Sequence, residues 1–330
     1  MDELLAGLRA AAEATRIRIL FALSHGELNV SELTQILGQS QPRVSRHLKL
    51  MAEAGLLVRH KEGNWVLFRL RDQSLGGALA QSIVDLLPAG DPLLARDIAR
   101  LEDIRVQRAE MASRYFSSNA GRWEMIRSLH VREDDVRDAM LRLAGPASVN
   151  LHLDLGTGTG SVLRTFAPRA KQSIGIDSSR EMLAIARAGL EKSDFRNPQV
   201  RHGDIYALPV ANGFSDFITI HQVLHYLDDP GRALGETARG LTPGGRLLIV
   251  DFAPHELEAL RAEHAHRRLG IASEQMGVWL QRAGLRLMRH SLLPPPEDQT
   301  GLTVSLWLAD KPVSVAATPN VPLAGTDRIP

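Results

Sequence analysis

A glycine-rich turn near the middle of the chain carries the clearest chemistry in the sequence. The turn spans residues 154–160 and reads DLGTGTG. It follows the short apolar run 149–153, which is typical of a buried strand. Its glycines allow the backbone to turn sharply and to approach a ligand closely. Because a short helix is predicted after the turn, the stretch indicates the opening of a nucleotide-binding β-α-β unit.

The spacing and the charge of this turn favour S-adenosylmethionine (SAM) over a dinucleotide. A dinucleotide fingerprint is Gly-x-Gly-x-x-Gly or Ala, and Ser161 occupies its last position here. The carboxylate of Asp154 would repel a pyrophosphate but would attract the ammonium and sulfonium groups of SAM. Asp177 ends a second predicted strand about 20 residues further on, where the acid that binds the ribose belongs.

The same residues resemble motif I of the Rossmann-like SAM-dependent methyltransferases, and the later motifs of that family follow in order. Residues 174–183 are similar to the ribose-binding motif, 203–205 to the adenine-binding motif, 216–225 to the fourth strand and 241–251 to the fifth. The resemblance covers roughly residues 110–311 and implies an α/β fold with a seven-stranded doubly wound sheet that binds SAM or its product S-adenosylhomocysteine (SAH). It implies a cofactor site formed by Asp154, Gly156, Thr157, Gly158, Gly160, Asp177, Ser178, Met182, Asp204, Ile205 and His221, with Tyr115 from a leading helix.

Two histidines follow the fourth predicted strand, where this fold keeps its active site. Methyl transfer requires a base only when the acceptor must lose a proton, and His221 or His225 is the candidate for that role. A role without catalysis is the alternative for both. The chain contains no cysteine, which excludes a thiolate nucleophile and a thiolate metal site. His264 and His266 would point to different sides of a helix, so we expect no metal site there.

The N-terminal part of the sequence predicts a DNA-binding domain. Two short helices, 31–37 and 41–54, flank a turn that contains glycine, which is the helix-turn-helix pattern. On the second helix Val44, Leu48 and Met51 recur at helical spacing and should face the core. The outward face is then basic and polar, as contacts with phosphates and bases require. A solvated face on a structural helix is the alternative. The predicted DNA-binding residues are Gln41, Arg43, Ser45, Arg46, His47, Lys49 and, in the next hairpin, Lys61.

Two segments of alternating polarity around residues 61–64 predict a hairpin, and a hairpin after a helix-turn-helix makes a winged helix. Residues 12–72 resemble the ArsR family of bacterial regulators, notably at 45–48 and 54–57. The resemblance implies a homodimer that binds double-stranded operator DNA. In metal-sensing members the stretch equivalent to residues 27–31 carries a cysteine pair, whereas this chain reads ELNVS. A soft-metal sensor at this position is therefore not expected.

These patterns divide the chain into four predicted segments. Residues 1–75 form the winged helix, 76–130 a helical dimerisation, linker and lid region, 131–311 the methyltransferase domain and 312–330 a disordered tail. The formal net charge is +1, so a nucleic-acid-binding surface must be local. No apolar run approaches the length of a membrane span and no signal-peptide pattern is found at the start, so we expect a cytoplasmic protein without a membrane partner.

The sequence therefore predicts an ArsR-type transcriptional regulator, a repressor, with a SAM- or SAH-binding domain. That domain is expected to sense a metabolite, to methylate a small molecule, or both. The alternative is an active SAM-dependent methyltransferase on a small organic acceptor, in which the winged helix serves only autoregulation. A resemblance to enzymes of the ubiquinone and menaquinone type favours turnover, and the sequence leaves turnover undecided.

Overall fold

The computed structural model describes residues 1–62, 65–71, 74–122, 132–145, 147–191, 198–295 and 301–313. The N-terminal elements are, in chain order, α1 (Asp2–Ala11), α2 (Ala14–Ser24), β1 (Leu28–Asn29), α3 (Val30–Leu37), α4 (Gln41–Glu53), β2 (Leu57–Glu62), β3 (Trp65–Leu70), α5 (Leu75–Asp85) and α6 (Pro92–Asn119). Strands β1, β3 and β2 form a small antiparallel sheet in that order. This is the winged helix-turn-helix that the sequence predicts.

The helix-turn-helix consists of α3 and α4. Asn29 and Glu32 form a capping box at the start of α3, in which each side chain accepts a hydrogen bond from the other residue's backbone N–H. Gly38 ends α3 in the left-handed conformation, with φ of 64°. The predicted core residues of α4, which are Val44, Leu48 and Met51, are fully buried.

Helix α6 is fixed to the end of α3 by polar contacts, one of which runs through Arg18 of α2. The Arg18 guanidinium forms two 2.7 Å hydrogen bonds with the carboxylate of Asp97 on α6. It donates a third, of 3.0 Å, to the Leu37 carbonyl of α3. Arg100 of α6 donates to the Ile36 carbonyl at 2.9 Å. These carbonyls belong to the last turn of α3, where the helix has no backbone donors of its own for them. Helix α6 therefore holds the turn that leads into α4.

The predicted linker region is divided between the two domains. Ala80 of α5 and Leu101 and Ile104 of α6 pack into the winged-helix core. Further along α6, Phe116 packs beside Met182 of the C-terminal domain. Residues 123–130 of this region, and residues 314–330 of the predicted tail, lie outside the described residues.

The C-terminal domain is a seven-stranded sheet with helices on both faces. Its elements are α7 (Glu133–Ala144), β4 (Val149–Leu155), α8 (Ser161–Phe166), β5 (Ala170–Asp177), α9 (Arg180–Glu191), β6 (Pro198–His202), β7 (Ser215–His221), α10 (Pro230–Gly240), β8 (Leu241–Phe252), α11 (Glu258–Glu263), α12 (Ser273–Arg282), β9 (Arg286–Leu293) and β10 (Val304–Asp310). The strand order is β6-β5-β4-β7-β8-β10-β9, and β10 is antiparallel to both its neighbours. The chain moves outward from β4 in opposite directions through β5 and β7, so a ligand site is expected at the carboxyl ends of these strands. In the described segments, no helix combines the length and apolar character that crossing a bilayer requires.

Candidate cofactor site and DNA-binding face

A cavity of about 830 Å³ opens at the carboxyl ends of β4, β5 and β7. Sites for small organic ligands span about 300–1,000 Å³, so this cavity is large enough for SAM. Ten of the residues predicted to bind the cofactor lie on its wall: Asp154, Gly156, Thr157, Gly158, Asp177, Ser178, Met182, Asp204, Ile205 and His221. The structure thus brings together motifs that lie far apart in the sequence.

The glycine-rich turn forms the floor of the cavity. Gly156, Gly158 and Gly160 have φ values of 69°, 53° and 80°, in the left-handed region that favours glycine. A Cβ on Gly156 would lie 2.4 Å from the Val223 side chain, so no larger residue fits there without a shift. Gly160 was predicted to bind the cofactor, but it is not among the residues on the cavity wall. It is the N-cap residue of α8.

Asp177 ends β5 with both carboxylate oxygens aligned by the backbone. Oδ2 accepts a hydrogen bond from Gly158 N and Oδ1 accepts one from Ser179 N, each 2.8 Å long. An ionised carboxylate has about four acceptor positions, so two remain for the hydroxyls of a ribose. Burial raises the pKa of the Asp177 carboxyl, and the backbone donors oppose that effect. This donor and acceptor set fits the ribose of SAM.

The two candidate catalytic histidines lie at different depths relative to the cavity. His221 lies on the cavity wall, whereas the His225 ring lies behind that wall and is only 1% exposed. His225 Nδ1 lies 2.6 Å from Asp251 Oδ1. The His225 ring also contacts the rings of Tyr226 and His266, at centroid distances of 4.0 and 4.1 Å, and both of these do line the cavity. The sequence analysis did not predict that Asp251 contacts His225. The position of this acid at the end of the fifth predicted strand was the only signal available for it.

Helix α6 contributes an aromatic wall to the cavity. Phe116 lines the cavity and packs edge-on against Tyr226, with ring centroids 4.8 Å apart. Ser117 Oγ donates to Glu181 Oε2 at 3.1 Å. Tyr115 lies in the same helix, but its predicted cofactor contact falls on a side chain outside the described part of the structure. Its neighbour Phe116, which lines the cavity, is one of the residues that the sequence analysis missed.

Two residues of the cavity wall have unusual backbone conformations. Gln222 and Ala265, with φ of 55° and 57°, are the non-glycine residues with positive φ in the described segments. A hydrogen bond of 2.7 Å from Gln222 N to the Val250 carbonyl holds the first of them. Such conformations cost about 1–3 kcal/mol each and cluster at functional sites. Their coincidence on one wall supports the assignment of this cavity as the functional site.

The predicted DNA-binding face is largely exposed. Gln41, Arg43, Ser45, Arg46 and Lys49 on α4 are open to solvent, as is Lys61 on β2. His47 departs from the prediction, because its side chain is only 12% exposed and its Nδ1 lies 3.9 Å from Glu13 Oε2. Burial lowers the pKa of His47, and the nearby arginines act in the same direction. The exposed part of the predicted face is therefore the predicted set without His47.

The winged helix also contributes to the cavity wall directly. Glu32 of α3 is one of the lining residues. Beside the cavity, Glu27 lies 3.6 Å from the Arg69 guanidinium of the wing and 3.5 Å from Arg268 of the C-terminal domain. Arg268 in turn donates to the carbonyls of Leu227 and Asp228 on the cavity rim. The two domains thus meet at the cavity.

Comparison with known proteins finds a family match in each domain of the chain. Residues 153–249 match the model of a methyltransferase domain, and residues 13–58 match the model of the bacterial regulatory protein, arsR family. A demethylmenaquinone methyltransferase of Thermus thermophilus is 37% identical over 146 residues, which cover 42% of this chain and 64% of that protein. The arsenical resistance operon repressor of Escherichia coli is 52% identical over 60 residues, which cover 18% of this chain and 51% of that protein. The chain therefore spans less than two thirds of the length of either relative.

A solved structure confirms the fold of the C-terminal half. One chain in the complex of the Haloferax volcanii Trm112 methyltransferase activator with a methyltransferase has a TM-score of 0.51 to this chain. The alignment has 22% sequence identity and covers 61% of this chain and 97% of that one. At this identity the likeness shows the fold alone. The chain is thus a fusion of an ArsR-type winged helix-turn-helix region with a Rossmann-like methyltransferase domain.

Proposed function

We propose that this protein is a transcriptional regulator whose affinity for operator DNA depends on SAM or SAH bound in the cavity. The observation that carries the proposal is the position of α6, which contacts the cavity at one end and the helix-turn-helix at the other. Phe116 lies on the cavity wall. At the other end, Arg100 donates to the Ile36 carbonyl of α3. There Asp97 also binds Arg18, which donates to the Leu37 carbonyl. A helix of 28 residues is about 42 Å long, so α6 reaches from the helix-turn-helix to the cavity.

The ligand side of this coupling begins with the cofactor contacts. Asp177 is placed to accept the ribose hydroxyls, Asp204 and Ile205 to bind the adenine, and the turn that contains Gly156 and Gly158 to approach the methionine moiety. When bound, SAM would supply an electrophilic methyl group, whereas SAH would occupy the same contacts without one. A ligand in these contacts lies in the cavity that Phe116 closes, so it favours one position of α6 over others.

The DNA side of the coupling is the turn between α3 and α4. The Arg100 guanidinium would lie 2.9 Å from a Cβ on Gly38, so α6 leaves little space at this turn. A shift of α6 therefore changes the orientation of α4 relative to α3. A coupling free energy of about 1–3 kcal/mol, which is a change of about 5- to 150-fold in affinity, is typical of such linkage.

Fluorescence anisotropy of the purified protein tests this proposal. The probe is labelled duplex DNA from upstream of its own gene, titrated with SAM, with SAH and without ligand. The proposal expects an affinity change of at least fivefold with one of the two ligands. Tight DNA binding that responds to neither ligand, although calorimetry shows both to bind, would contradict it.

We expect Phe116→Ala to separate ligand binding from DNA binding. The variant loses the aromatic contact between α6 and Tyr226 but keeps every polar group assigned to the cofactor. SAM affinity should then change by less than about tenfold, while the effect of SAM on operator affinity should fall below about twofold. Val106→Ala is the matched control, because Val106 lies on α6 and is 55% exposed. A Phe116→Ala protein that retains the full response would show that coupling does not pass through α6.

We expect Arg46→Ala to weaken operator binding, because Arg46 is exposed on the outward face of α4. A direct base contact would cost about 1–3 kcal/mol, whereas a phosphate contact would lower the salt slope by about one. Anisotropy titrations between low and moderate salt distinguish these cases. Arg137→Ala, on an exposed arginine of α7, is the control and should change neither quantity. Unchanged binding in Arg46→Ala would mean that this face is a solvated surface.

We propose further that the protein acts as a homodimer through α1 and α5. These two helices pack together, and apolar side chains remain exposed on and beside them, namely Leu5, Leu8, Leu75 and Leu86. Exposed apolar side chains that cluster on the surface mark an interaction site in many proteins, and we expect these four to do so. Light scattering on Leu5→Glu/Leu8→Glu should report a monomer, and a dimer that survives these changes would place the interface elsewhere.

The second candidate function is methyl transfer to a small organic acceptor. The two histidines at this end of β7 favour it, because imidazole is the commonest general base; His225 is oriented by Asp251 but lies behind the cavity wall. His221, on the wall itself, is the other candidate base. The similarity to a demethylmenaquinone methyltransferase supports an acceptor of comparable size. Incubation with methyl-labelled SAM and a cell extract tests turnover, and the absence of any labelled small molecule would argue against it.

A further inference from the structure

Asp154 is held from within the sheet by the buried Thr219 hydroxyl, which in turn contacts the buried His152 ring. Thr219 Oγ1 of β7 donates a hydrogen bond of 2.6 Å to Asp154 Oδ1. His152 Nε2 of β4 lies 2.8 Å from the same hydroxyl oxygen. All three side chains are at most 1% exposed, although Asp154 still borders the cavity. A continuous polar chain therefore leads from the interior of the sheet to the cofactor site.

The direction of each hydrogen bond in this chain follows from the available protons. Thr219 has one hydroxyl proton, and it is directed to the carboxylate, so the hydroxyl oxygen accepts from an N–H on His152 Nε2. Burial lowers the pKa of His152 to about 3, so the imidazole is neutral and Nε2 carries its only N–H. The His152 ring is fixed between Phe166 and Phe217, at centroid distances of 5.2 and 5.5 Å.

We propose that Thr219 and His152 are positioning residues that hold the Asp154 carboxylate in the orientation that receives the cationic methionine end of SAM. The inference rests on the proposed SAM site and adds residues that lie outside the cavity wall. The fixed hydroxyl keeps one carboxylate oxygen in the sheet, so the carboxylate group cannot rotate away from the glycine-rich turn. Binding then requires no reorientation of the charged group, which is the advantage of a preorganised site.

The electrostatic surroundings of Asp154 include groups from several elements. Asp177 at the end of β5, Asp204 after β6 and His221 at the end of β7 border the same cavity. Further along the wall are the ionisable groups Glu32, Tyr206, Tyr226, Asp228, Arg261, Glu263, His266 and Arg267. A substitution at Thr219 leaves these groups in place, so a difference between variants at this position reports on the hydroxyl and its two hydrogen bonds.

Calorimetric titration of the full-length protein with SAM tests the proposal. Thr219→Val keeps the shape of the side chain and removes the donor, and we expect it to weaken SAM binding by about 10- to 100-fold. Thr219→Ser restores the hydroxyl and should bind within about threefold of the original protein. In an Asp154→Asn background, Thr219→Val should add less than about threefold, because the two residues act through one contact.

The pH dependence of SAM binding separates positioning from a purely structural role. A donor to the ionised carboxylate favours its charged form, so its loss raises the pKa of Asp154. The acid limb of the binding profile should then move to higher pH in Thr219→Val and return in Thr219→Ser. His152→Phe, which keeps a ring between the two phenylalanines, should shift the limb in the same direction by a smaller amount. It also serves as the second test if Thr219→Val does not fold.

The outcomes distinguish this inference from the proposed function. Unchanged SAM affinity and an unchanged acid limb in both folded variants would overturn the positioning role, whatever the effect of SAM on DNA binding. Equal weakening in Thr219→Val and Thr219→Ser would also overturn it, because the hydroxyl would then be irrelevant. A regulator that binds SAM as described but does not change its operator affinity would refute the proposed coupling and leave the roles of Thr219 and His152 intact.

Discussion

Asp97→Ala is expected to lower the free energy of unfolding of the winged-helix region by about 3–5 kcal/mol. The substitution removes the carboxylate from a buried ion pair and leaves the Arg18 guanidinium without its charged partner. Asp97 is 1% exposed and Arg18 is 8% exposed, so water cannot replace the lost hydrogen bonds without opening the core. Urea denaturation followed by circular dichroism would measure the loss as a lower midpoint of the first transition.

A matched control for this prediction lies on the same helix. Glu110 and Arg114 form an exposed ion pair of 3.0 Å on α6, and an exposed pair of this kind contributes about 0.3–0.5 kcal/mol. Glu110→Ala should therefore change the midpoint far less than Asp97→Ala. Similar midpoints for the two variants would mean that the Arg18–Asp97 contact is not formed in solution. Loss of the contact should also weaken the response of DNA binding to SAM, because Arg18 links Asp97 of α6 to the Leu37 carbonyl of α3; the bond from Arg100 to the Ile36 carbonyl remains.

Local patterns in the sequence were sufficient to predict the elements and to name ten residues that line the cavity. The glycine-rich turn and Asp177 were predicted from their spacing within one β-α-β unit. The structure places both at the predicted strand ends. The buried face of α4 follows from a helical period that needs no knowledge of the rest of the chain. Such features are encoded within about 30 residues, so the sequence alone reveals them.

His47 shows the limit of a prediction that divides a helix into two faces. Residue 47 follows Val44 by three positions and precedes Leu48 by one, which places it at the flank of the buried stripe rather than opposite to it. A side chain at the flank is buried or exposed according to its neighbours in space. Here Glu13, which caps α2, provides the neighbour. The sequence contains no local signal for that contact.

The contact of α6 with the cavity could not be predicted from the sequence, for a similar reason. Its apolar periodicity predicts a packed face but does not show which domain covers each part. Leu101 packs in the winged helix, whereas Phe116, fifteen residues later in the same helix, packs on the cofactor cavity. The contact between His225 and Asp251 joins residues on two different elements and is equally non-local. Both contacts depend on the tertiary arrangement. The first joins α6 to the C-terminal domain, and the second orients a candidate base.

Asp177→Ala should weaken SAM binding by about 10- to 150-fold, because hydrogen bonds to a charged group contribute about 1.5–3 kcal/mol. Titration calorimetry measures the change directly. Glu256→Ala is the control, since Glu256 is an exposed acid of the same domain and does not line the cavity. Affinity equal to that of the original protein in Asp177→Ala would place the ribose elsewhere and would remove the basis of the proposed site.

The pH dependence of binding strengthens this test, because burial raises the pKa of the Asp177 carboxyl. The ribose hydroxyls are donors to the ionised carboxylate, so SAM affinity should fall as the pH falls through that raised pKa. Asp177→Asn cannot ionise and should lack this part of the acid limb. The same substitution should abolish the effect of SAM on operator affinity at ligand concentrations that saturate the original protein, while DNA binding without ligand stays unchanged. A loss of DNA binding in the absence of ligand would instead indicate that Asp177 maintains the fold of its turn, through its contacts with Gly158 and Ser179.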